Sequence, residues 1–456
     1  MSRSIRNSAI LLAGWASVAT GHAQALSAEE AAALRSQIEA LRTQVQALEA
    51  RLDRAETNTA TAAATAQQAS ELAAKKSEGP KIAFKGAPEI SDGKGWSFKH
   101  RGRFQLDVNS VSAPDAISRP GLGFSNEIRR AYLGFQGTIP GGFSYMTEIN
   151  VAGGGSGASK VNFTDIYLTY KKGAWSVTAG QIKTFASLEE QGSDLNTSFL
   201  ERTAFTSAFG FERRVGLSFG YEQGSILVNG GVFTNNLDEL KPSDNSYSLD
   251  GRIVWMPKMG NTQLHLGASG HYHDLNDSAS TVTYSTRPYA HATDVKFVST
   301  PSIGAVSETG YGVEAALLRG PFHVAAEGFW QKVGRPGLSD PTFFGGYGEI
   351  GYVLFGGGRS YKSGTMGSFK PVKGIDQGGP GAMEVNLRYD FLDLNDGGIT
   401  GGKQKAYGVA LAWIPVEHVK FLANYIHLDM SDAAILAGTD ASYGVDTFGV
   451  RAQLDF

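Results

Sequence analysis

Six basic residues carry the strongest chemical signal in this chain. Lys99, Arg101 and Arg103 are spaced two apart, and Arg130, Arg214 and Arg252 take the same face of later segments read with a two-residue period. A guanidinium stays charged and presents a planar fork of donors, which suits carboxylate or phosphate oxygens. Glu314, Glu327, Glu349, Glu384 and Asp390 share that parity in the later half of the chain. Gathered around one lumen, the basic half would attract anions, whereas opposed walls of unlike charge would orient dipolar solutes. Pairing with Glu189, Glu190, Asp194 or Glu201 would cancel part of the attraction, and some arginines would only brace a loop.

Other chemistry is weakly signalled. His265, His271 and His273 share a face, but no carboxylate of that face completes a metal-ligand set. Gly346 to Gly351 spells G-x-G-x-x-G inside an alternating segment with no helix after it, so its glycines are read as room for neighbouring aromatics rather than as a dinucleotide loop. Asp393 to Gly398 lacks calcium-loop spacing and reads as a turn. Nothing resembles a catalytic triad or a paired acid and base, so neither an enzyme nor a cofactor is expected. The net charge of -3 gives no basic footprint for nucleic acid, and the absence of cysteine excludes disulfides and thiolate metal sites.

The elements that position the charges are strands. From Phe98 to Val108, apolar residues, with His100 and Gly102 among them, alternate with Lys99, Arg101, Arg103, Gln105 and Asp107; from Val445 to Phe456 the same period runs to a terminal aromatic residue. About sixteen such segments occur between 97 and 456, an even number that suits an antiparallel transmembrane β-barrel. Connections after even-numbered segments are short (140–142, 171–173, 223–224, 257–261, 320–321 and 415–417) and those after odd-numbered ones are longer, an asymmetry foreign to a soluble sandwich. The connection 356–381 breaks the rule, through either a missed strand pair or an extended turn. No stretch of about twenty apolar residues provides a helical span.

Ahead of the barrel, Arg3 and Arg6 precede an apolar run from Ala9 to Val18, which predicts a signal peptide over 1–23 with cleavage at 23 or 25. Ser27 and Glu30 form a capping box, and Leu34, Ile38, Leu41, Val45, Leu48 and Leu52 follow a heptad seam, predicting a coiled-coil helix over 26–56. Residues 57–96 read as a flexible spacer. A helix and spacer so placed would lie in the periplasm, within reach of peptidoglycan, and tethering is the alternative role to transport.

The closing strand resembles the terminal signature by which assembly machinery takes up bacterial outer-membrane barrels, here through Phe456. KHRGRFQLD (99–107), IRRAYLGF (128–135), FLER (199–202) and the stretch 406–425 resemble the porin family that includes the phosphate-selective porins O and P. The resemblance implies a homotrimer of sixteen-stranded barrels in the Gram-negative outer membrane, in contact with lipid and lipopolysaccharide and passing small anionic or polar solutes. It also implies a pore narrowed by a third long loop, here Lys183 to Arg213. Basic positions matching the anion-selective members are Arg103, Arg129, Arg130 and Arg202, with Tyr132 beside them. Where phosphate-selective members carry a lysine after Leu-Glu, this chain has Glu190, which implies modest anion preference without tight phosphate binding. A general, carbohydrate or organic-acid porin with a transverse charge field is the alternative.

Overall fold

The computed structural model describes residues 27–77, 79–152, 161–211, 213–276 and 280–456, so the expected signal peptide lies outside the described residues. Two units are distinguished, Met1–Gly79 and Pro80–Phe456. The first holds helix α1, Ala28–Ser77. Its start is the expected capping box, with the Glu30 amide donating to Ser27 Oγ at 3.3 Å and the Ser27 amide donating to the Glu30 carboxylate at 3.1 Å. The helix runs past residue 56 to Ser77, correcting the reading of 57–96 as a flexible spacer. Alanine favours helix, and the hydroxyls of Thr57, Thr61 and Thr65 donate to carbonyls four residues back, so the Ala/Thr composition continues the helix. After it, Lys81–Lys85 and Ala87–Ser91 pair as a hairpin, and the second strand continues onto Ser97 to Lys99 of the barrel.

The second unit is a closed sixteen-stranded antiparallel barrel. Its first eight strands are β1 Ser97–Ser112, β2 Gly123–Ile139, β3 Phe143–Asn150, β4 Asn162–Lys172, β5 Trp175–Lys183, β6 Arg213–Gln223, β7 Ile226–Phe233 and β8 Tyr247–Trp255. The rest are β9 Thr262–Asp274, β10 Ser307–Arg319, β11 Phe322–Gly334, β12 Thr342–Phe355, β13 Ala382–Asp396, β14 Ile399–Val416, β15 Val419–Ser431 and β16 Tyr443–Asp455. All sixteen coincide with alternating segments of the sequence. Closure runs from Asp446 opposite Ser112 to Asp455 opposite Arg103, and Gly102 and Phe456 exchange backbone hydrogen bonds of 3.0 Å. Burial is inverted relative to a soluble sheet: Phe104, Leu106 and Val108 face outward, while Gln105, Asp107 and Asn109 are buried inside. Aromatic pairs such as Trp175 with Tyr221 and Trp330 with Phe344 mark the two rims.

Among the described residues, three connections fold into the lumen. The loop 184–212 carries helices α2, Leu188–Gln191, and α3, Ala204–Phe209. Phe205 and Phe209 of α3 pack with Tyr284, Phe329 and Tyr347, filling the side of the lumen under β10 to β13 with an apolar core. Tyr284 belongs to the second infolded loop, 275–306, of which 275–276 and 280–306 are described. The third is 356–381, an extended turn rather than a missed pair of barrel strands. It holds its own small hairpin, Tyr361–Lys362 with Thr365–Met366, and reaches inside to Arg252, whose Nη2 donates to the Gly364 carbonyl at 2.9 Å. The connection 392–405, which follows an odd-numbered segment and is therefore among those expected to be longer, is mostly strand. Gly397 and Gly398, with φ of 59° and 79°, make a two-residue turn that lets β13 and β14 run on beyond their neighbours.

Candidate functional site: a basic route past the infolded loop

The acidic residues of the second half of the barrel hold the loop. Glu327 accepts the amides of Leu188 and Glu189, each at 2.8 Å. Asp390 accepts the Ala204 amide at 2.8 Å and the Tyr289 hydroxyl at 2.5 Å, so both long infolded loops meet on one carboxylate. Glu349 takes Ser198 Oγ at 2.6 Å and Arg388 at 2.7 Å, and Arg388 also reaches Glu189 at 2.7 Å. Glu384 is bidentate with Arg359, and Glu314 pairs with Arg252 at 2.6 Å. These carboxylates face inward, as parity predicts, but they are engaged with docked loops and arginines rather than free to set a field across an open lumen.

The opposite side carries the arginines, and two β-bulges aim them. Gln105 pairs with Arg130 and Leu106 with Ile128, which leaves Arg129 as an extra residue and turns both arginines inward. Thr147 pairs with Ile166 and Ile149 with Phe163, so at the second bulge Thr164 and Asp165 both face the lumen. Asp194 of the loop then meets both Arg103 and Arg130, at 2.7 Å from Arg130 Nε. Glu201 takes Arg129 in a fork of 2.8 and 3.0 Å and Arg451 at 3.1 Å. Glu190 lies 3.2 Å from Arg202 and 3.6 Å from Lys183. Arg101 and Arg103 share Glu148, Arg213 forks onto Asp165, and Arg451 onto Asp107. Burial raises the pKa of the Asp194 and Glu201 carboxyls, but Arg130 and Arg103 beside the first, and Arg129 beside the second, outweigh it and hold both well below the ordinary range. Eight cations thus face six carboxylates, an excess of two positive charges.

Open space follows this basic side. A cavity of about 250 Å³ is lined by Arg101, Arg103, Arg130, Lys183, Arg202 and Arg213, together with Asp165 and Asp194. Toward the long loops it shares Arg202 with a cavity of about 360 Å³ bordered by Arg129, Arg287, His291 and Lys296. Toward the short turns it shares Asp165, Lys183 and Gln191 with a cavity of about 320 Å³ bordered by Thr169, Thr178 and Asn229. The three spaces are neighbours through these shared lining residues.

Of the residues singled out in the sequence, Arg101, Arg103, Arg129, Arg130, Lys183 and Arg202 are brought together, with Glu190 pinned among them and the Tyr132 ring 4.8 Å from the Arg103 guanidinium carbon. Arg214 and Arg252 lie elsewhere: Arg214 bonds Asn235 and His273, and Arg252 bonds Glu314. The histidines do meet carboxylates, contributed by adjacent strands. His271 pairs with Asp250 at 2.7 Å and His273 with Glu308 at 2.9 Å, while His265 meets the Tyr361 hydroxyl. Among the described residues no group of three potential ligands is assembled there. Sequence reasoning missed Arg213, which parity places outside, and Asp165 and Glu148, which parity places inside.

Comparison with known proteins agrees with this architecture. Residues 98–456 match the family described as Phosphate-selective porin O and P. A Caulobacter vibrioides protein described as uncharacterized is 42% identical over 408 residues, covering 87% of this chain and 82% of its own. Among solved structures, the anion-selective porin from Comamonas acidovorans superposes with a TM-score of 0.51 at 13% identity, covering 79% of this chain and all 100% of that one. OmpT, an outer membrane protein of Vibrio cholerae solved in trimer form, does so with 0.51 at 11% identity, covering 79% and 99%. The fold is that of outer-membrane porins, and the chain belongs to the phosphate-selective porin O and P family.

Proposed function

We propose that this outer-membrane channel passes small hydrophilic solutes along the arginine side of its lumen, with a modest preference for anions and no tight hold on phosphate. The observation that carries the proposal is the near balance of the basic side of the lumen, where eight cations exceed six carboxylates by only two. An unpaired guanidinium cluster would bind a dianion strongly, whereas arginines already forked onto carboxylates offer only residual attraction. Glu190 pairs with Arg202 and Lys183, two residues that line the central cavity, and would there repel a dianion. The anion selectivity stated for the Comamonas porin supports the sign of the preference. Neutralising Arg130 or Arg202 to glutamine should lower the chloride-to-potassium permeability ratio in planar bilayers; an unchanged ratio in both variants would refute the route.

We further propose a homotrimer whose signal peptide is removed on export, with α1 in the periplasm. Leu34, Leu41 and Leu48 of α1 are at least half exposed in a single chain, which favours burial between copies of the helix. Deleting residues 26–76 should leave conductance intact. A loss of envelope integrity in that deletion would add a tethering role.

A further inference from the structure

We propose that Lys420 and Arg359, neither of which lines the three cavities, tune selectivity by positioning Asp194 against Arg103 and Arg130. The inference rests on the arginine route proposed above.

Four consecutive carbonyls of the loop are held by side chains of the wall and the short-side connection. Gln105 approaches the Asp194 carbonyl at 3.5 Å, Gln453 the Leu195 carbonyl at 3.3 Å, Arg359 the Asn196 carbonyl at 2.8 Å, and Lys420 the Thr197 carbonyl at 2.8 Å. Lys420 also reaches the Leu195 carbonyl at 3.4 Å and is 4% exposed. Arg359 is fixed in turn, forked onto Glu384 and donating to Ser198 Oγ at 2.8 Å. A backbone stretch held at each residue has one orientation, and that orientation carries the Asp194 carboxylate to both guanidinium groups. Lys420 instead borders a separate cavity of about 180 Å³ with Leu195, Asn196, Gln453 and Asp455, behind the loop.

The consequence runs against charge counting. Removing the positive charge of Lys420 would by itself make the channel less attractive to anions. If Lys420 acts by holding Asp194 in place, its loss frees the carboxylate to leave Arg103 and Arg130, and the two unmasked guanidinium groups raise anion preference.

Four variants of the full-length protein, reconstituted in planar bilayers under a potassium chloride gradient, test this: Asp194→Asn, Lys420→Met, Lys420→Arg and the double variant Asp194→Asn/Lys420→Met. Asp194→Asn and Lys420→Met should each raise the chloride-to-potassium permeability ratio about two- to fourfold, the scale of one carboxylate lost beside a screened aqueous path. Lys420→Arg should keep the wild-type ratio, and Lys420→Met should add nothing in the Asp194→Asn background. A wild-type ratio in Asp194→Asn would refute the route itself. A raised ratio in Asp194→Asn with an unchanged or lowered one in Lys420→Met would overturn the positioning role alone. If Lys420→Met yields no heat-modifiable barrel, Gln453→Met removes a donor to the Leu195 carbonyl without changing charge. It should raise the ratio in the same direction, and no change would overturn the proposal.

Discussion

Glu190 offers the sharpest perturbation of the basic route. Its carboxylate lies 3.2 Å from Arg202 and 3.6 Å from Lys183, and the Lys183 ammonium also donates to the Glu190 carbonyl at 2.6 Å. Glu190→Gln keeps the shape and adds one net positive charge. An anion about 6 Å away, at an effective dielectric of about 40 and a Debye length of about 10 Å, gains about 0.8 kcal/mol, or about fourfold in permeability. Glu190→Lys adds two charges, so the gain is about 1.5 kcal/mol, or about tenfold, and phosphate should begin to compete with chloride. Reversal potentials of each variant, with phosphate titrated against chloride current, measure both effects. Unchanged ratios in both variants, in barrels that still show heat-modifiable migration, would mean that Glu190 does not act on the path.

Three further outcomes follow from packing and charge. A Cβ at Gly102 would collide with the Phe456 ring, so Gly102→Val should reproduce the assembly failure expected on deleting Phe456; normal barrel yield in outer-membrane fractions would count against a role for that contact. Arg451 is 2% exposed and forks onto Asp107, so Arg451→Met strands a buried carboxylate and should cost about 3–5 kcal/mol, read as a lower denaturation midpoint. Asp194 and Glu201 have depressed pKa values, so their stabilisation is complete above the unfolded carboxyl range of about 4 and is lost as pH falls through the lower folded values. The loop should therefore stay docked at pH 5, and a rise in current noise between pH 7 and 5 in a His291→Gln background would contradict this.

The barrel was legible because its physics is local. Alternation from Phe98 to Val108 needs no partner to be read, and turn lengths supply the asymmetry of the two sides. The loop-facing role of Glu327, Glu349 and Asp390 was legible only in part: parity turns them inward, but nothing in a two-residue period says that Leu188, Ser198 and Ala204 come to meet them. Bulges defeat parity outright. Arg129 was reached only through family resemblance, because one extra residue in a strand reverses every face beyond it, whereas Asp165 lies on the inward face of Tyr167 and Thr169 and was simply not singled out. Helix α1 outran its predicted end because an Ala/Thr-rich stretch was read by its lack of a seam rather than by its helix propensity.

A nearly neutralised basic route is tested most directly by the sign and size of wild-type selectivity. Reversal potentials of the reconstituted protein in a potassium chloride gradient, repeated with phosphate added, should show a modest preference for chloride over potassium and no block at micromolar phosphate. Cation preference would contradict the arginine route, and strong phosphate block would contradict its neutralisation by Asp194, Glu190 and Glu201.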